Sequence, residues 1–78
     1  MTSIDILKLH SYFLDKFKIN QISLCALDLF REILKNMKIE EFFEYIEKNE
    51  IHIDELINKY KEDERLISYA IIRLVYTS

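Results

Sequence analysis

The chain has 78 residues, of which 50% are hydrophobic and ten are Phe or Tyr, and its net charge is −3. It contains neither Gly nor Pro, so phosphate-cradling loops and dinucleotide-binding fingerprints, which require Gly, are excluded. The apolar content excludes disorder, and one cysteine excludes an internal disulfide. These limits predict a single all-α domain, a compact bundle of four to five short helices.

Residues 1–37 are predicted to form a helical hairpin. Its first helix runs from about Ser3 to Lys18, with Thr2 or Ser3 as the cap residue. One face carries Ile6, Leu9, Phe13 and Phe17, and another carries Ile4, Leu7 and Leu14. Because both faces are apolar, we expect this helix to make contacts on more than one side.

The second predicted helix runs from about Gln21 to Met37 and has the widest apolar face in the chain. Asn20 or Ser23 is the candidate cap at its start. Asn36 is the candidate for the left-handed residue that closes a helix when Gly is absent.

Residues 39–76 are predicted to form three further helices. The third helix runs from about Ile39 to Lys48. Its apolar stripe consists of Ile39, Phe42, Phe43 and Ile46, and its expected solvated face of Glu40, Glu41, Glu44 and Glu47. The fourth helix begins near Ile53, with His52 as its cap. The fifth runs from about Asp63 to Tyr76, either as a separate helix or joined to the fourth as one bent helix.

The stretch IEEFFEYIEKNEIHIDELINKYKEDERLISYAIIRLV, residues 39–75, resembles the three-helix core of winged-helix and related helix-turn-helix domains. The apolar stripe of the third helix and the spacing of Ile67, Ala70, Ile71 and Leu74 carry this resemblance. Lys61 stands where that family usually has a turn Gly. The strand pair of the wing is expected to be absent, because the sequence ends at Ser78.

The resemblance implies one possible function, that of a small DNA-binding regulator. Its candidate DNA-binding residues are Lys59, Lys61, Arg65, Ser68, Tyr69 and Arg73, with the two lysines on phosphates. Residues 39–78 hold five basic and ten acidic residues, whereas residues 1–38 hold six basic and four acidic ones. The net charge of −5 on the helix-turn-helix-like half disfavours nucleic acid, because phosphate binding depends on Lys and Arg.

The function that we favour is a non-enzymatic protein–protein interaction module, a small adaptor or accessory subunit. The candidate interface is an apolar stripe on the fifth helix, formed by Leu66, Tyr69, Ile72 and Tyr76. This stripe is an anchor surface for protein. Its partner is either the chain's own first two helices, another protein or, in a homodimer, a second copy.

The sequence contains no constellation typical of a catalytic or metal site. His10 and His52 belong to different predicted helices, and neither has a second ligand at the spacing that a helical metal site requires. We therefore expect no enzymatic activity, no cofactor and no small-molecule ligand. No apolar run approaches the roughly 20 residues that span a bilayer, so we expect no membrane partner and a cytoplasmic location.

Overall fold

The computed structural model of the protein describes residues 3–78, which form five helices and no strand. The helices are α1 (Ser3–Phe17), α2 (Leu24–Ile33), α3 (Ile39–Lys48), α4 (Glu50–Lys59) and α5 (Glu64–Tyr76). This confirms the predicted all-α bundle. Helices 4 and 5 are separate. Thr2, one of the two candidate caps of the first helix, lies outside the described residues.

The end of α1 shows how a chain without Gly closes a helix. Lys18 adopts a left-handed conformation with φ 60°. Its N–H donates to the Leu14 carbonyl oxygen at 3.0 Å, and the Ile19 N–H donates to the Phe13 carbonyl oxygen at 3.2 Å. The bond from Lys18 to Leu14 is the 5→1 bond of the αL motif, which closes a helix at a left-handed residue. It turns Ile19 into the core, where only 4% of its surface is exposed.

Helix α2 is shorter at both ends than the sequence indicates. Ser23 is its cap, because the Ser23 hydroxyl accepts a hydrogen bond from the Ala26 N–H at 3.2 Å. At the other end, the Asn36 N–H donates to the Ile33 carbonyl oxygen, so the chain leaves the helix in tight turns. Asn36 does not have a positive φ, and the prediction that it closes the helix in the left-handed conformation is wrong.

Helices α3 and α4 meet at a single residue, Asn49. The Asn49 N–H and side-chain amide both donate to the Tyr45 carbonyl oxygen, at 3.1 and 2.8 Å, and so close α3. The Asn49 carbonyl oxygen accepts from the Ile53 N–H at 2.9 Å and opens α4. Helix α4 therefore begins at Glu50, three residues before the predicted start, and His52 lies within it rather than at its cap.

The connection between α4 and α5 contains the second left-handed residue. Glu62 has φ 71°, whereas Lys61, the position expected to correspond to the turn Gly, does not have a positive φ. The left-handed position is thus displaced by one residue. Asp63 then caps α5, because its carboxylate accepts a hydrogen bond from the Leu66 N–H at 3.2 Å.

Glu62→Gly is expected to stabilise the protein by about 0.5–1 kcal/mol. A side chain at positive φ costs about 1–2 kcal/mol, and the extra freedom of Gly in the unfolded chain offsets part of that gain. Lys61→Gly is the matched control and is expected to destabilise by about 0.5 kcal/mol. Urea unfolding followed by circular dichroism measures both. Equal effects of the two substitutions would contradict the left-handed assignment at Glu62.

The core lies between all five helices. Its buried apolar residues are Leu9, Phe13, Ile19, Ala26, Phe30, Ile33, Ile39, Phe42, Ile46, Ile53, Ile67, Ile71, Ile72 and Val75. The rings of Phe30 and Phe42 meet edge to face at its centre, with centroids 5.1 Å apart. The most extensive packing joins α2 to α5, and α3, α4 and α5 also contact one another. The division into an N-terminal hairpin and a C-terminal trio stays a prediction.

Candidate interaction surfaces

The four residues of the predicted α5 interface differ in their exposure to solvent. Leu66 and Tyr76 are exposed by 43% and 51%, and Tyr69 is half-buried. Ile72 is fully buried in the core, so the chain itself covers this residue, which is one of the alternatives that the sequence left open, and it is not available to a partner. Each step of three residues falls about 60° short of a full helical turn. Two steps from Leu66 therefore bring Ile72 round to the core side of α5.

The candidate DNA-binding residues also differ in their exposure to solvent. Lys59, Lys61, Arg65 and Arg73 are exposed, and Tyr69 is half-buried. Ser68 is fully buried, and its hydroxyl donates to the Arg65 carbonyl oxygen at 3.0 Å. Its assignment as a DNA contact is therefore wrong. A buried hydroxyl bonded within its own helix cannot reach a base or a phosphate.

A groove of about 340 Å³ separates α4 from α5. We call it the α5 groove, and it is lined by Leu56, Tyr60, Leu66, Tyr69, Ala70, Arg73, Leu74 and Thr77. The lining is mainly apolar, and Arg73 supplies its one charge. The Lys59 amino nitrogen lies 5.3 Å from the centre of the Tyr60 ring, which brings a second cation close to the same edge.

A second depression, of about 360 Å³, adjoins the α5 groove across α5. It is lined by Ser23, Cys25, Asp63, Arg65, Leu66 and Tyr69. Leu66 and Tyr69 line both concavities and form the ridge between them. Of the predicted interface residues, these two therefore lie together on one continuous surface that runs from α4 over α5 to the start of α2.

The outer face of α1 is a further apolar surface. Ile4, Leu7 and Leu14 are exposed by 62%, 67% and 44%, whereas Leu9 and Phe13 on the inner face are fully buried. The sequence indicates apolar contacts on more than one side of this helix. Within residues 3–78 the chain covers only the inner side. We call Ile4, Leu7 and Leu14 the α1 stripe.

A polar cluster that was not predicted from the sequence joins α1 to α3. The Tyr12 hydroxyl donates to one carboxylate oxygen of Glu47 at 2.6 Å, and the Lys16 amino group pairs with the other at 2.8 Å. The Tyr12 ring stacks on Phe43 with centroids 4.2 Å apart. Glu47 was expected on a solvated face. Because 35 residues separate it from Tyr12, no local spacing could indicate this contact.

The cluster shifts the titration of two of its members. The hydrogen bond from Lys16, followed by that from Tyr12, lowers the pKa of Glu47 below its ordinary value of 4.5. Burial, followed by the bond to Glu47, raises the pKa of Tyr12 above its ordinary value of 10.0. The Glu47 contacts therefore stabilise the fold above pH 4.5 and are lost at lower pH. The Tyr12 contact is fully present below pH 10.0 and is lost at higher pH.

Two further kinds of feature are absent from residues 3–78. No group of three or more His, Cys, Asp or Glu side chains in this part of the chain is placed to hold a metal ion. None of its helices is long and apolar enough to cross a membrane.

Comparison of the chain with protein families, with characterised proteins and with solved structures finds no match. The resemblance of residues 39–75 to a helix-turn-helix core therefore stays a prediction.

Proposed function

We propose that this chain is a non-enzymatic protein–protein interaction module, and that the surface centred on Leu66 and Tyr69 binds its protein partner. The observation that supports the proposal is that these two side chains form the ridge between two adjoining concavities. Tyr and Arg are the residue types, besides Trp, that contribute most often to the binding energy of interfaces. Tyr69 lies at the centre of the surface, with Arg73 on one side and Arg65 on the other.

The chemistry of the surface defines the partner that it fits. The apolar part of the α5 groove is lined by Leu56, Tyr60 and Leu74. Arg73 stands within the same groove and has no ion pair among the described residues. A partner segment with apolar side chains on one face and a carboxylate beside them satisfies both features. An amphipathic acidic helix has this composition.

The test compares the partners that tagged variants retain from an extract of the source cells. A protein retained by the unmodified chain is expected to be lost from Tyr69→Glu, with affinity falling roughly thirtyfold. Ile51→Glu is the matched control, since Ile51 is 76% exposed and lies outside both concavities. A partner retained equally by all three proteins would contradict the proposed surface.

DNA binding is the alternative function, and a DNA-binding measurement on the same protein tests it. Fluorescence anisotropy of a labelled random-sequence duplex is measured at about 50 mM and about 200 mM salt. We expect no binding at either concentration, because ten acidic residues lie in residues 39–78. Binding that weakens steeply with salt would favour the DNA-binding alternative, with Lys59, Lys61, Arg65 and Arg73 as its contacts.

A further inference from the structure

The exposed apolar residues of α1 share one side of the helix. Ile4 and Leu7 are separated by three residues, and Leu7 and Leu14 by seven, spacings that return to the same face. Scattered exposed apolar residues are normal in proteins. Three on a single helix face, each exposed by 44% or more, are more than scattered exposure, and grouped exposed apolar residues mark interaction sites.

One basic and one acidic residue flank the α1 stripe. Lys8 and Asp15 are seven residues apart and flank the stripe along the same edge. Both side chains are exposed, and together with Ser11 both line the groove between α1 and α3. Neither side chain has an ion-pair partner within the described chain.

We propose that the α1 stripe binds a second copy of the chain, with the two α1 helices antiparallel. A twofold axis at the level between Ser11 and Tyr12 places Lys8 opposite Asp15 of the partner subunit, and the pair occurs twice. In a parallel twofold arrangement the charged edges of the two helices would lie on opposite sides of the interface, and these pairs would not form. The order of Lys8 and Asp15 along the helix therefore favours a second copy of the chain as the partner, and it favours the antiparallel direction.

The same antiparallel arrangement brings Leu7 and Leu14 of the two copies together, whereas Ile4 lies just past the end of the partner's α1. Leu7 lies about 3 Å along the helix axis from Leu14 of the partner subunit, a stagger that lets the side chains interdigitate. Ser11, the small residue in the middle of the stripe, stands at the crossing point and allows the two helices to approach closely.

The small size of the surface limits the strength that we expect of this association. Two facing stripes bury an area at the low end of specific interfaces, below about 1,200 Å². We therefore expect a reversible dimer with Kd on the order of 10–100 μM. The inference rests on the proposed interaction function in that it names a second copy as one partner. It uses a different surface from the α5 groove.

Sedimentation equilibrium of the purified chain, from about 5 to about 500 μM, is the direct test. The unmodified protein is expected to pass from monomer to dimer over this range. Leu7→Gln, on an exposed position, is expected to raise Kd at least tenfold with the urea unfolding midpoint unchanged. Ile51→Gln is the matched control, because Ile51 lies on α4 and is at least as exposed as Leu7, and this variant is expected to dimerise normally. A protein that stays monomeric at 500 μM would overturn the proposal.

A charge exchange then tests the direction of the helices. Lys8→Asp or Asp15→Lys alone replaces two attractive pairs by two repulsive ones, and each is expected to raise Kd about tenfold at low salt. The double variant restores opposite charges across the interface and is expected to recover the original Kd. A double variant weaker than either single one would overturn the antiparallel assignment.

Failure of this inference is distinguishable from failure of the proposed function. Sedimentation of the purified chain requires no other protein, so a monomeric result leaves the α5 groove open to its own test. Tyr69→Glu is expected to dimerise with unchanged Kd. A dimer that is lost in Tyr69→Glu but kept in Leu7→Gln would place the association on α5 and overturn the assignment to α1.

Discussion

Ile72→Glu is expected to leave the protein unfolded at neutral pH. Ile72 is fully buried on the core side of α5, and a carboxylate placed there loses its hydration without gaining a partner. The cost of several kcal/mol is comparable to the whole stability of a 78-residue domain, about 4–12 kcal/mol. The far-UV circular dichroism spectrum should lose its helical signal in the absence of denaturant.

Tyr69→Glu is the control for this prediction, because it introduces the same carboxylate three residues away on the same helix. Tyr69 is half-buried, so the introduced charge keeps access to water. We expect a helical spectrum and a loss of at most about 2 kcal/mol. An Ile72→Glu protein as stable as Tyr69→Glu would show that Ile72 does not lie in the core.

Phe42→Ala is expected to reduce the free energy of unfolding by about 3–5 kcal/mol. The Phe42 ring is fully buried and packs on Phe30 and Phe43, with centroid distances of 5.1 and 5.6 Å. Its removal leaves a cavity between α2 and α3 and ends both contacts. Urea unfolding followed by circular dichroism gives the difference from the midpoint and slope.

Leu24→Ala is the control for the core substitution, since Leu24 is 79% exposed at the start of α2. Its expected effect is within about 0.5 kcal/mol. If Phe42→Ala were no more destabilising than Leu24→Ala, the ring pair could not lie at the centre of the core. Phe42→Leu, which keeps most of the volume, should fall between the two.

The helical class of the fold was predictable because it depends on composition and local spacing. Without Gly and Pro, helices joined by short polar turns are the natural architecture, and the period of apolar residues indicates where they lie. Helix α3 was predicted with its observed bounds, Ile39–Lys48. Its stripe of Ile39, Phe42 and Ile46 is buried because apolar and acidic residues separate cleanly on its two sides.

Helix ends were harder to predict where several residues compete for one role. Both Asn20 and Ser23 are good caps, and only the folded chain shows that the Ser23 hydroxyl accepts the Ala26 N–H. Asn20 instead donates its backbone N–H to the Glu64 carboxylate at 2.9 Å. That bond joins the connection after α1 to the start of α5 across 44 residues, a distance that no local pattern spans.

The candidate surface was predictable only in part, for a geometrical reason. A stripe spaced by three residues drifts around a helix, so its members share one side only over a single turn. Leu66 and Tyr69 stayed together on the surface, whereas Ile72 entered the core. The α1 stripe was visible as a second apolar face, but the sequence could not tell which of the two faces the chain would cover.

The one-residue joint at Asn49 determines how the C-terminal half can deform. Its amide and carbonyl groups belong to the last turn of α3 and the first turn of α4, so the angle between these helices cannot change without breaking both. The four residues between α4 and α5 include no residue shared by both helices. We therefore expect any change of angle within the C-terminal half to fall at this connection, beside Glu62, and not at Asn49.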